Sequence, residues 1–411
     1  MPAVILDTDL GNDPDDIVAI VLLCRMLQKG DISDLAIITT DERPDIKPEP
    51  VPVLLADGTP RTHRELRHRA PIVRKIVDGL KIGNPVTVVK GLPSPNDVAF
   101  SKELEAWAAE IDYEALPSFK HIQTCISEWK THEKEVVWIG VGGMTNLAEV
   151  MKGTDLPTRV VQMGHQIDFD QAAYTVAKEV KDRTIGFWGK QIETNIRMDP
   201  EACNEVITAC KGKNVPLTFV MLDTTGYNLA WMKPNFDRAI TDPVVRLSTG
   251  DGTIGQTLLP LLTAQLEPLR INCNFFRAPS YLHDPLTVVH AIYPDLDLFP
   301  LKKAALHVVV EGGVTPRPPV APQPNGRTEI QLTSDEYPDK ESTWWKVYGS
   351  QCVSTNCTIS FGPQTEEQRG LFLGQLYKLL TPASAPAGGR RKIRRSAKKA
   401  KNTRNTRKTR N

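Results

Sequence analysis

No apolar run in this chain of 411 residues reaches the roughly 18 positions that a membrane-crossing helix needs. No charged-then-apolar leader precedes Asp7 either. Together these absences predict a soluble protein that is not exported by the leader route and that resides in the cytoplasm, without a membrane partner. Cysteine is sparse and unpatterned: there are seven, an odd number, with no Cys-x-x-Cys. That fits neither a zinc site nor a dense disulfide framework, and it implies a reducing compartment. Net charge is nearly absent as well, at +1, but the average conceals a segregation. From Arg390 to Asn411 there are twelve Lys or Arg and no acid, so the remainder of the chain carries about −11. An acidic body is expected to end at residue 380, followed by a linker over 381–389 and a disordered basic arm over 390–411. Three uses of the arm stay open: contact with nucleic acid or another polyanion, a nuclear import signal, and folding back onto the acidic body.

What the sequence does have is concentrated at its start. Val4-Ile5-Leu6 reads as a buried strand, and five carboxylates, Asp7, Asp9, Asp13, Asp15 and Asp16, follow within ten residues. Like charges this close are costly on a buried strand end unless a cation neutralises them. An all-oxygen donor set suits a hard ion, Ca²⁺ before Mg²⁺. The stretch from Asp15 to Gln28 is apolar on most helical faces, so the acids should lie at the carboxyl end of a strand and the start of a helix, where open α/β sheets hold ligands. An EF-hand loop is a poor match, because Gly11 comes fifth and follows a strand. A strand ending in Asp-x-Asp also resembles the nucleophile motif of haloacid-dehalogenase-type phosphatases, but Leu10-Gly11 stands where that motif has Thr or Val.

Four later segments select another family. Val141-Gly142-Gly143-Met144-Thr145-Asn146 follows the apolar run Val136-Val137-Trp138-Ile139; Glu193-Thr194-Asn195 runs into Asp199-Pro200-Glu201-Ala202; Leu222-Asp223-Thr224-Thr225 and His283-Asp284-Pro285 come after. With the acidic opening, these resemble in order the motifs of the inosine–uridine-preferring nucleoside hydrolases, over roughly residues 3 to 310. The resemblance implies an α/β fold with a mostly parallel central sheet flanked by helices, and Ca²⁺-dependent hydrolysis of ribonucleosides to base and ribose. It further implies a Ca²⁺ held by Asp9, Asp16, Asp284 and the Val141 carbonyl, with Asp15 taking the proton from water and His283 protonating the departing base. Asp7 and Asp13 would support the ligands from behind, Asp13 lying in a two-residue extension of the family's opening. Glu193 and Asn195 would hold the sugar's 5′-hydroxyl.

The residues themselves predict local structure beside these roles. Gly142-Gly143 should give an unusual backbone path that leaves the Val141 carbonyl free, with Thr145 capping the next helix. Asp199-Pro200 reads as an N-cap and first helical position. Glu193 and Asn195, two apart, would share one side of an extended segment. Asp284 is equally an N-cap or a ligand.

Two departures from the family pattern alter the expected pocket. Asp41 and Glu42 follow the second strand where most members have an Asn that holds a ribose hydroxyl, so one of them would replace it. Phe187 falls on a second family Asn, and Phe187 or Trp188 would stack on a base. The alternatives are therefore a hydrolase of another ribosyl compound and a non-catalytic relative that binds nucleic acid through its arm. Prolines at 48, 50, 52 and 60 mark residues 45–60 as an insertion or exposed loop before a helix from about Thr62 to Leu80. Beyond residue 300 the pattern loosens: a strand over Ala305–Val310, a proline-rich linker over Pro316–Pro324 and a closing helix over Glu366–Leu380 are predicted. A homo-oligomer is compatible with all of this.

Overall fold

The computed structural model describes residues 1–11, 15–42, 68–96, 100–165, 193–226, 264, 282–317, 320–332, 356–360 and 364–381. The first six strands are β1 (Ala3–Thr8), β2 (Asp34–Thr39), β3 (Thr87–Val89), β4 (Val136–Gly140), β5 (Arg159–Met163) and β6 (Leu217–Val220); β7 (Leu301–Arg317), β8 (Val320–Leu332) and β9 (Cys357–Ser360) complete the sheet. Among the described residues nine strands join in the order β3-β2-β1-β4-β5-β6-β9-β7-β8. The first six of that order, and β9 beside β6, run parallel; β7 and β8 run antiparallel. The run 3-2-1-4-5-6 is the doubly wound arrangement, so the α/β expectation of a mostly parallel sheet holds.

Both faces of that sheet are covered, which is why its strands read as unbroken apolar runs. Val4 and Leu6 of β1 pack with one cluster and Ala3 and Ile5 with the other, as the two-residue period of a strand demands. The first cluster takes in α1 (Asp15–Lys29), α2 (Arg69–Leu80), α9 (His283–Ile292) and α10 (Glu366–Leu380). The second takes in α4 (Lys120–Thr131), α5 (Thr145–Val150) and α7 (Pro200–Gly212). Helix α1 is buried at twelve of its fifteen positions, the mark of a helix enclosed by neighbours rather than one with a wet face. Truncating one of its buried leucines to Ala should cost about 2–5 kcal/mol.

The C-terminal region corrects one expectation. Residues 316–317 and 320–324 lie in strands rather than in a proline-rich linker, because Val314 pairs with Pro324 and Arg317 with Val320 across β7 and β8. Strand β8 is the last in the sheet order, and a proline on an edge strand need not break a ladder bond. The strand expected over Ala305–Val310 is correspondingly longer, Leu301–Arg317. The closing helix lies over Glu366–Leu380 as expected. Met1–Leu380 is one compact unit. Apart from Thr381, the expected linker and basic arm lie outside the described residues. Among the described residues no helix is long and apolar enough to cross a membrane.

Candidate active site

The strand order reverses between β1 and β4, and the carboxyl ends of strands at such a reversal frame the crevice where doubly wound sheets bind ligands. Strand β1 delivers Asp7 and Thr8 there, and helix α1 begins with Asp15 and Asp16. Helix α9, which packs along α1, brings Asp284 in its first turn. Asp15, Asp16 and Asp284 are buried, and one carboxylate oxygen of each lies within 4.8 Å of the other two. The Thr8 hydroxyl donates to Asp16 Oδ1. Two helix N-termini favour negative charge at this spot. Three buried like charges still exceed what such partial charges offset, and an all-oxygen donor set in this density fits a hard divalent cation.

Asp9 is not a member of that trio. Half-buried in the loop, it makes itself felt as a charge that raises both Asp7 and Glu193. Asp7 is fully enclosed and burial pushes its carboxyl up to about 7, against hydrogen bonds that pull it down. Those bonds reach Oδ1 from Thr40 Oγ1 at 2.5 Å and Asn146 Nδ2 at 2.9 Å, while Oδ2 has no partner among the described residues. Asn146 also donates to the Thr39 carbonyl and accepts from the Leu92 amide. It thereby ties the ends of β1 and β2 together, a role that the motif around it did not disclose. Asp13 lies outside the described residues.

The Gly142-Gly143 turn works differently from the expectation of an unusual backbone path. Neither glycine has a left-handed φ; what Gly142 supplies is proximity, since a Cβ there would sit 2.7 Å from the Asp9 amide nitrogen. The turn therefore lets the acidic loop pack against the end of β4. Thr145 does not cap the next helix: Met144 occupies that position without a side-chain cap, and Thr145 Oγ1 donates to Asp199 Oδ2 at 2.9 Å. Asp199 itself caps α7 through the Ala202 amide, with Pro200 at the first helical position, as read from sequence.

Glu193 and Asn195 do not lie in an extended segment. Glu193 is the N-cap of the short helix α6 (Thr194–Met198), accepting from the Asn195 and Ile196 amides, and its carboxyl is raised to about 7, chiefly by burial. Asn195 turns inward and donates from Nδ2 to the Val141 carbonyl at 2.9 Å. A carbonyl oxygen has two lone pairs, so this bond orients the Val141 oxygen without exhausting it.

Asp41 and Glu42, one of which was expected to grip the sugar, are both engaged with α2. Asp41 pairs with Arg69 at 3.1 Å, both fully buried, and accepts from Ser94 Oγ at 3.1 Å. Glu42 accepts from the backbone amides of Arg69 and Ala70 and from Thr39 Oγ1. Four orphan amides open every helix, and Glu42 satisfies two of them here. Burial still lifts its carboxyl to about 7. Sequence reading passed over Arg69. Its signal was position: Arg69 stands on the face carrying Ile72, Val73, Ile76, Val77 and Leu80, all buried.

His283 opens α9, its Nδ1 2.6 Å from Thr225 Oγ1, and burial lowers its pKa to about 3. Another imidazole, His165, lies at the carboxyl end of β5, wholly buried and lowered to about 3 by that burial. It stacks edge-on against Phe219 with Cys203 Sγ 3.6 Å from Nε2, and was not foreseen as part of this region. Phe187 and Trp188 lie outside the described residues.

A doubly wound α/β protein with a buried carboxylate cluster at its strand-order reversal is the class these features define. Residues 46–343 match the sequence pattern of the inosine-uridine preferring nucleoside hydrolases, and the chain belongs to that family. No curated protein matches it. Similar solved structures include an inosine-uridine preferring nucleoside hydrolase from Bacillus anthracis, at 15% identity over 92% of this chain and 100% of that one, with a TM-score of 0.47. The effector protein XOO4466 is similar at 14% identity over 92% and 94%, TM-score 0.48. The type III effector protein XopQ, complexed with adenosine diphosphate ribose, is similar at 16% identity over 74% and 85%, TM-score 0.42.

Proposed function

We propose that this protein hydrolyses the N-glycosidic bond of ribonucleosides, releasing free base and ribose, with Ca²⁺ as its cofactor. The observation that carries this reading is the buried trio Asp15, Asp16 and Asp284 at the strand-order reversal of a chain in this family. Breaking an N-ribosidic bond builds positive charge on the sugar, so the reaction needs an activated water on one face and a polarised leaving group on the other, as in glycoside hydrolysis. When bound, Ca²⁺ would supply a Lewis acid that lowers the pKa of a bound water and orients hydroxyls. Asp16 and Asp284 would hold it, with the Val141 carbonyl steadied by Asn195 and Asp9 contributing from the loop. Asp15 would accept the water's proton, a role open to a carboxylate within reach of the same centre. His283, kept neutral by burial, would meet the departing base with an N–H hydrogen bond rather than a full positive charge.

A second reading is a hydrolase of another ribosyl compound. It is favoured by Asp41 and Glu42, whose carboxylates are engaged with Arg69 and the α2 amides at the position where a sugar-holding Asn was expected. Release of base and reducing sugar from a panel of nucleosides and ribosyl phosphates, with and without chelator, tests both. Turnover of nucleosides that chelation abolishes is the expected result. Turnover of other ribosyl compounds alone selects the second reading, and no turnover of any substrate by metal-loaded protein would sink both in favour of a binding protein.

A further inference from the structure

We propose that Arg69 is a positioning residue that holds the acidic loop in its cation-receiving shape, an inference that rests on the trio holding a cation. Its guanidinium is fully buried, a costly placement that is tolerated only when the donors are matched. Each arm of the fork has a defined acceptor. Nη1 donates to the carbonyls of Asp9 and of Leu10, the latter at 2.9 Å; Nη2 donates to Asp41 Oδ2 at 3.1 Å; Nε faces the Asp41 carbonyl at 3.4 Å. The Phe100 ring lies against the guanidinium at 4.9 Å. A side chain at Gly11 would occupy the same space, its Cβ 2.5 Å from both Nη1 and the Phe100 ring.

The consequence runs directly into the carboxylate trio. Arg69 Nη1 donates to the carbonyl of Asp9, the Leu10 N–H of that same peptide unit donates to Thr8 Oγ1 at 3.1 Å, and the Thr8 hydroxyl donates to Asp16 Oδ1. Hydrogen bonds in such a chain polarise and orient one another. The Gly11 carbonyl is held by the Ser101 amide at 2.5 Å, so the three loop carbonyls after Thr8 are all restrained. At its other end the guanidinium is fixed by Asp41, itself held by Ser94. Asp41 thus serves the loop through Arg69 rather than by touching a sugar. Lysine cannot replace this fork, because one ammonium on a flexible stem cannot meet four differently placed oxygens.

The test titrates Ca²⁺ into full-length parent, Arg69→Lys, Arg69→Met and Asp41→Asn proteins by calorimetry, with Tb³⁺ luminescence as a second probe. Thermal stability is measured on the same metal-free samples. Groups that orient metal ligands typically contribute 10–100-fold in affinity, so the Ca²⁺ Kd should rise by about that factor in both Arg69 variants and less in Asp41→Asn. A purely structural arginine would lower metal-free stability while leaving the affinity of the folded protein unchanged, and that outcome overturns the proposal. If the Arg69 variants do not fold, Asp41→Asn decides: parental Ca²⁺ affinity in that variant overturns the proposal equally. A parent that binds no Ca²⁺ defeats the proposed cofactor and this inference together, whereas parent and variants binding alike defeats only the role given to Arg69.

Discussion

Replacing Asp16 by Asn should stabilise the metal-free protein and destabilise the metal-loaded one, a reversal that few substitutions produce. Three carboxylates within 4.8 Å of one another make three repulsive pairs, each about 3.5 kcal/mol at an effective dielectric constant of 20. Asp16→Asn removes two of those pairs and leaves one, a relief of up to about 7 kcal/mol. Asn retains an oxygen that can accept the Thr8 hydroxyl, so the packing change is small. With an unfolding entropy near 2.1 cal/mol/K per residue over the compact unit, that is a rise in Tm of up to about 9 °C in chelator. In saturating Ca²⁺ the sign should invert, because the parent gains binding energy that the variant largely lacks. Calorimetric melting of both proteins in chelator and in Ca²⁺ provides the four values needed. A variant less stable than the parent in chelator would refute the reasoning, since the carboxylates would then not be repelling one another.

Asp15→Asn should lower turnover by about 10²–10⁴-fold while equilibrium dialysis still finds the cation; loss of the cation would make Asp15 a ligand before it is a base. His290 is lowered to about 4 by burial and then by Arg159, and packs on Phe299. The unfolded chain therefore binds the extra proton between pH 6.5 and 4, and stability is full above that window and falls by up to about 3 kcal/mol as pH drops through it; denaturant melts of His290→Gln should show this slope flattened. Removing residues 384–411 deletes twelve positive charges and none of the site residues, so turnover should be unchanged while any binding to DNA or RNA weakens and loses its salt dependence. Retained nucleic-acid binding by the truncated chain would end the electrostatic role given to the arm.

The legible parts of this fold are those that a local pattern determines. Strands β1 and β4 are apolar runs bounded by turn residues, and Asp199-Pro200 starts a helix because Asp accepts from a free amide and Pro needs none. The missed parts are set by partners distant in sequence. Glu193 is an uncommon N-cap residue, so propensity did not signal that it would end an extended path and start a helix. The β7–β8 pair carries prolines that argue against a strand until its place at the edge of the sheet is known. In the site, the family resemblance already singled out Asp16 and Asp284, which the fold brings together, but the partners of Asp41 depended on an arginine 28 positions further on.

That arginine bears on substrate choice. A site built around a hydrogen-bonded hydroxyl rejects the analogue lacking it by about 10⁴–10⁵, because its own polar group is then stranded, whereas a site without such a partner discriminates by only about 10–200-fold. The position expected to hold a ribose hydroxyl is filled by Asp41 and Glu42, and their oxygens already accept from Arg69, Ser94, Thr39 and the α2 amides. Turning the Asp41 carboxylate toward a sugar would take its counter-charge from a fully buried guanidinium, at a cost of several kcal/mol. One ribose hydroxyl should therefore lack its usual protein partner, and either the 2′-deoxy or the 3′-deoxy nucleoside should be turned over within about 200-fold of the parent compound in kcat/KM. If both deoxynucleosides fall by 10⁴ or more, the protein supplies a hydroxyl partner elsewhere, and the pocket grips ribose as firmly as the family pattern implies.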